Sequence, residues 1–289
     1  MDRLYPNSLA DIEPWRARHG TTSDEARKRF MQFAVLECVA AAPIGRLLVF
    51  KGGNALRFLH QSPRSTIDLD FTALPTFPDD ADEIRVLIDS ALATGSRRFG
   101  FAARTQRVKR HPPASTATMP TFDIAVGYQF PTDRHYASFI AGVRRPWPVI
   151  ELEISVNDEV CEYTAVRLDP RQNIAIRACV LEDIVAEKLR ALLQQRIRRR
   201  NRRQDVYDIA RVVERMGAAL DRRKVSDYFV RKCRRRSIEP TRSAFDDDIR
   251  NRAAYEYDTL FDCTDPNFIP FDRGWSLVLR LVAELDIPH

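Results

Sequence analysis

An α/β fold is what the sequence predicts, with a sheet domain and N-terminal helix over residues 1–170 and a helical region over residues 171–289. Three observations carry that reading. A short apolar run, Leu47-Leu48-Val49-Phe50, passes through Lys51-Gly52-Gly53 into Asn54–His60, which has helical apolar spacing; a buried strand therefore feeds a helix across a glycine turn. Two other segments, Thr66–Phe71 and Val149–Val156, alternate apolar with acidic or polar residues, the period of half-buried strands. From Ile174 onward the apolar residues recur every three or four positions, as in helices with one buried face.

The elements follow in order. Residues 1–20 carry Pro6 and Pro14 among mixed charges and read as an irregular arm. Thr22-Ser23-Asp24-Glu25 is a helix start, with Thr22 or Ser23 as cap and acids in the first turn. The helix is predicted to run to about Ala41, with Phe30, Phe33, Leu36 and Cys38 toward the core. After the strand at 47–50, Pro63 is predicted to end the helix. In the strand Thr66–Phe71, Asp68 and Asp70 share one face, while Ile67, Leu69 and Phe71 share the buried one. A helix from Asp79-Asp80, a strand over Phe99–Val108, an exposed loop over Lys109–Met119 and a strand over Phe122–Phe130 come next. In Val149–Val156, Ile150, Leu152 and Ile154 share one face and Glu151, Glu153 and Ser155 the other. Cys161–Leu168 reads as one more strand. Helices are predicted at Val180–Leu193, from Asp205 to near Gly217, from Asp221, at Ser243–Leu260 and at Trp275–Leu285, with no chemistry evident beyond Asp221.

The chemistry gathers in Leu47–Thr72. Two carboxylates side by side on one strand face repel unless a cation lies between them, and oxygen donors in that arrangement suit a hard divalent ion, Mg²⁺ above all. Gly52-Gly53 at a helix start offers bare backbone N–H groups and the positive end of a helix dipole, which suits phosphate. Together they point to metal-assisted phosphoryl or nucleotidyl transfer.

Composition narrows the partners. No stretch approaches a membrane span, the N-terminus lacks a secretory signal, and five scattered cysteines form neither a zinc pattern nor a disulfide framework; reduced thiols in a cytoplasm are expected. The net charge of +6 is unevenly spread. Between Glu187 and Arg236 stand eighteen Lys or Arg and six Asp or Glu, so the rest of the chain is net acidic. A basic surface meeting a polyanion is one reading, a solvated helical face the other. The densest part, Arg198, Arg199, Arg200, Arg202 and Arg203, is the candidate RNA-binding segment, since such residues neutralise phosphates.

The order apolar strand, Gly-Gly, short helix, Asp-x-Asp resembles the DNA polymerase β-type nucleotidyltransferases. More closely, Lys51-Gly52-Gly53 and Arg64 ahead of Asp68-Leu69-Asp70-Phe71 resemble the AbiEii/AbiGii-type nucleotidyltransferase toxins. The resemblance covers residues 47–72, 149–156 and 181–209. It implies a polymerase β-type mixed sheet with flanking helices, and Mg²⁺ (or Mn²⁺) held with the nucleoside triphosphate by Asp68 and Asp70. It makes Glu153 the third acid in preference to Glu151, although an edge strand with a solvated acidic face would read the same. Ala186–Leu192 and Asp205-Val206-Tyr207-Asp208 are similar to the family's later motifs, which carry a Lys and an Asp over onto Lys188 and Asp205; an Asp there could equally be a helix-end dipole partner. Lys51, Gly52, Gly53, Asn54, Arg64 and Ser65 are the implied nucleotide contacts. The implied acceptor is the end of tRNA, and the implied partner a cognate antitoxin. A protein or small-molecule hydroxyl as acceptor, or a nucleotide- or RNA-binding module without turnover, stays open on the residues alone.

Overall fold

The computed structural model describes residues 4–64, 66–113, 118–198, 201–261 and 265–289. The chain divides into two units, one of Met1–Gln61, Ser65–Asp158 and Thr164–Ala178, the other of Ser62–Arg64, Glu159–Tyr163 and Cys179–His289.

In the first unit, residues 9–19 are helical where an irregular arm was expected. A 3-10 turn, Leu9–Asp11, leads into α1 (Ile12–His19), with Pro14 in its first turn, where a missing N–H costs nothing. Tyr5 stacks on Phe33 and its hydroxyl donates to the Leu168 carbonyl at 3.0 Å. Helix α2 (Ser23–Ala41) starts at Thr22, whose hydroxyl accepts from the Glu25 N–H. A 3-10 turn, Pro43–Leu47, then enters β1 (Leu48–Lys51) and α3 (Gly52–His60). Helix α3 stops at Gln61, in left-handed conformation, two residues before the proline expected to end it.

Strand β2 (Leu69–Ala73) begins later than predicted, and Ile67 is 61% exposed instead of buried. The reason lies in α2. Gln32 Nε2 donates to the carbonyls of Thr66 and Ile67 at 3.1 and 2.9 Å, and Arg29 donates to Thr66 O at 3.2 Å. Side chains thus take the backbone groups that a strand would use. Helix α4 (Ala81–Phe99), capped by Asp80, and strands β3 (Ala102–His111) and β4 (Thr121–Gln129) follow, β3 reaching into the expected loop. Helix α5 (Tyr136–Ile140), β5 (Val149–Ser155), β6 (Tyr163–Val166) and β7 (Ile176–Cys179) complete the unit; β7 lies where helix was predicted.

The strands form a mixed sheet ordered β3-β4-β5-β2-β1-β7-β6. Strand β5 is interior, antiparallel to β4 and parallel to β2, so its acids are not on an edge. One sheet face, with Phe71, Phe122, Ile124, Leu152 and Ile154, is buried; α2 packs on α4 and β5, and α4 on β3.

The second unit is helical: α6 (Leu181–Leu193), α7 (Gln195–Arg198), α8 (Arg203–Met216), α9 (Arg222–Arg235), α10 (Asp247–Ala254) and α11 (Phe271–Glu284). Helix α6 packs on α8 and α9, and α11 on α8. The predicted helix 243–260 is shorter, because Glu256 takes a left-handed conformation and divides α10 from a 3-10 turn.

Candidate active site

Pairing register builds an acidic row across the first unit. Asp70 on β2 lies opposite Glu153 on β5, and Glu153 lies opposite Asp123 on β4. Lys51 pairs with Asp70 at one end and Lys109 with Asp123 at the other. Residues opposite one another on neighbouring strands share a face about 4.8 Å apart, so three carboxylates line up between two lysines. Glu151 lies two residues along β5 on the same face, and Asp68 stands just ahead of β2. Burial raises the Glu151 carboxyl; Arg107 pulls it back, and the charges of Asp68 and Asp123 push it further up. Asp123 also carries His111 at 3.1 Å.

Elements β1 and α3 hold this row. Gly52 has φ +76°, and a Cβ there would stand 2.0 Å from Asp70 Oδ2. The glycine therefore lets the Asp70 carboxylate lie against the start of α3. Asn54, expected among the phosphate contacts, is fully buried, and its Nδ2 donates to the Asp68 carbonyl at 2.6 Å. Its amide positions the Asp68 backbone. Lys51 is drawn to Asp158 at 2.9 Å. A hard divalent ion takes one or two carboxylates and fills its shell with water and substrate phosphates; Asp70 and Glu153, beside the start of α3, fit that requirement. Among the described residues no group of three His, Cys, Asp or Glu is placed to hold a metal ion.

In the second unit, three of the candidates form a buried ion cluster with Asp208. Lys188 Nζ reaches Asp205 Oδ1 at 2.8 Å and Asp208 Oδ2 at 2.7 Å, and Arg64 meets Asp208 in a fork at 2.8 and 2.7 Å. Burial alone would lower the Lys188 ammonium, but the attraction of Asp205 and Asp208 outweighs it and holds the group above its ordinary value. For Asp208 burial works upward, and Arg64 and Lys188 overcome it, so the carboxyl lies below the usual range. Asp205 Oδ2 is buried and accepts no hydrogen bond, with the Arg202 guanidinium at 3.9 Å. Asp208 was not among the sequence candidates; its signal was its i, i+3 spacing from Asp205, which places both on the same helix face.

Some arginines of the basic segment are paired with acids of this unit. Arg196 pairs with Asp246 and Asp248, Arg202 approaches Asp205, and Arg203 meets Glu256 at 2.6 Å. Arg198 is exposed. Ser65, Arg199 and Arg200 lie outside the described residues.

No helix of the described residues is long and apolar enough to cross a membrane. No curated protein matches the sequence. Among solved structures, JHP933 from Helicobacter pylori is 12% identical with TM-score 0.51, covering 91% of this chain and 91% of that one; the likeness is one of fold. MenT4, a nucleotidyltransferase toxin from Mycobacterium tuberculosis H37Rv, is 18% identical with TM-score 0.47, covering 91% of this chain and 84% of that one. The model of the family described as nucleotidyl transferase AbiEii toxin, type IV toxin–antitoxin system, matches residues 34–268. That span takes in the acidic row, the glycine turn and the buried ion cluster, and the chain belongs to this family of nucleotidyltransferase toxins.

Proposed function

We propose that this nucleotidyltransferase moves a nucleoside monophosphate from a nucleoside triphosphate to RNA, at the acceptor end of tRNA, in the cytoplasm, and that a cognate antitoxin restrains it. The observation that carries the reading is the in-register Asp70–Glu153 pair lying against a glycine whose Cβ would displace the Asp70 carboxylate. Asp68, Asp70 and Glu153 are the residues to hold Mg²⁺, or Mn²⁺ in its place. The bound ion would neutralise charge on the triphosphate. Gly52 and Gly53 at the start of α3 present N–H groups to phosphate oxygens. Glu153 orients the acceptor hydroxyl and takes its proton. The hydroxyl oxygen forms the new ester bond at the α-phosphorus, the bond to the β-phosphate breaks, and pyrophosphate leaves. Lys188, Asp205 and Arg64 enter the proposal through the motif match; their buried pairing gives them first a structural duty in the helical unit, with the unused Asp205 Oδ2 as the acceptor still open to a donor.

The test incubates the purified protein with total RNA, Mg²⁺ and each labelled nucleoside triphosphate in turn, beside Asp68→Ala. A labelled band of tRNA size that disappears with the variant is the expected result. Label on protein would move the acceptor to a polypeptide hydroxyl. No label with any nucleotide, from folded protein, would leave a binding module.

A further inference from the structure

We propose that a basic cleft at the far end of β4 and β5 is where the RNA acceptor is gripped; this rests on the RNA-acceptor reading above. A cavity of about 660 Å³ is lined by Arg27 and Lys28 of α2, by Arg134 and His135, and by Arg145 and Trp147. The hydrogen bond from Tyr128 N–H to the Pro148 carbonyl, at 3.1 Å, ties the two ends of the intervening loop together. Arg27 is neutralised by Asp133 at 2.6 Å and lies over Phe130. Lys28, Arg134 and Arg145 have no carboxylate within ion-pairing distance among the described residues, so the cleft holds uncompensated positive charge. Asp24 is the one other acid of its lining.

Charge decides the occupant. The acidic row repels any polyanion brought to it, so an RNA acceptor needs a compensating cationic hold within reach. The cleft lies at the end of the same two strands, with Arg27 and Lys28 supplied by α2, which packs on the sheet face opposite the row. Gly127 and Val149 are paired four residues from the Asp123–Glu153 pair, which is about 13 Å at the rise of a β-strand, or roughly four stacked nucleotides. The arginine-rich segment, by contrast, spends Arg196 and Arg203 on carboxylates. Guanidinium groups with no carboxylate partner match phosphate oxygens with paired donors.

The experiment measures binding of bulk tRNA between 50 and 200 mM salt, without nucleotide, for three proteins: the parent, Lys28→Gln/Arg134→Gln/Arg145→Gln, and the charge-matched control Arg223→Gln/Arg234→Gln/Arg235→Gln. Thermal unfolding checks that each is folded. The cleft variant is expected to bind about tenfold or more weakly near 0.1 M salt, with the salt slope reduced by about two, and the control to stay near the parent. In turnover its KM for RNA should rise while that for the nucleotide stays put. Equal weakening in cleft variant and control would overturn the inference, as would loss of polyglutamate binding in place of tRNA binding, which would assign the cleft to an acidic protein. A parent that labels RNA as well as its cleft variant does sinks the cleft and keeps the reaction. A parent that grips tRNA through the cleft and attaches no label sinks the reaction and keeps the cleft.

Discussion

Gly52 and Asp70 make the closest approach in the acidic row. Any side chain at 52 must displace the Asp70 carboxylate from 2.0 Å and adopt φ +76°, which only glycine holds without strain. Gly52→Ala is therefore expected to lower nucleotidyl transfer by about 100-fold or more while costing roughly 1–3 kcal/mol of stability; wild-type kinetics from the variant would contradict this. Lys188 is the opposite case. Its ammonium sits buried between Asp205 and Asp208, so Lys188→Met leaves a carboxylate uncompensated and is expected to destabilise the fold by about 3–5 kcal/mol, measured by denaturant unfolding. Asp68, Asp70, Glu153 and Lys188 stand out in the sequence as candidates because short motifs hold them. Asp123 could not: Phe122-Asp123-Ile124 looks like any half-buried strand, and only the pairing of β4 with β5 sets its carboxylate beside Glu153.

Among the elements, β1, α3, β4, β5, α2, α6 and α8 were legible, since local period and caps determine them. The start of β2 was not. Its period runs back to Thr66, but Gln32 and Arg29 of α2, far away in sequence, take the Thr66 and Ile67 carbonyls and turn that stretch into a loop. Strand β7 was missed because four residues, Ile176–Cys179, show too little alternation to stand against the helical pattern around them; its pairing with β1 makes it a strand. The Gln32 clamp yields a prediction at this scale. Gln32→Leu leaves the Ile67 carbonyl without its donor and the Thr66 carbonyl with Arg29 alone, costs about 1–3 kcal/mol, and loosens Asp68, so activity should fall more steeply than in a core variant of equal stability. Equal losses would mean the clamp serves folding alone.

Across the whole molecule, charge governs both stability and chemistry. The lowered Asp208 carboxyl stabilises the protein above its ordinary value of 3.8, and that contribution is lost as pH falls through the still lower native value. The raised Lys188 ammonium contributes fully below its ordinary 10.5 and loses this only as pH climbs through its higher native value. The unfolding midpoint should therefore be insensitive to this cluster from about pH 5 to 10 and drop below about pH 4; a decline beginning near pH 6 would contradict it. The proposed function has the Asp70–Glu153 row direct transfer at the α-phosphorus. It is tested most directly by supplying the preferred triphosphate labelled at either the α- or the γ-phosphate, with RNA, to the parent and to Asp70→Asn. The expected result is α-label in RNA, γ-label in free pyrophosphate, and neither with the variant. Label from the γ-position in the acceptor, or undiminished transfer by Asp70→Asn, would contradict it.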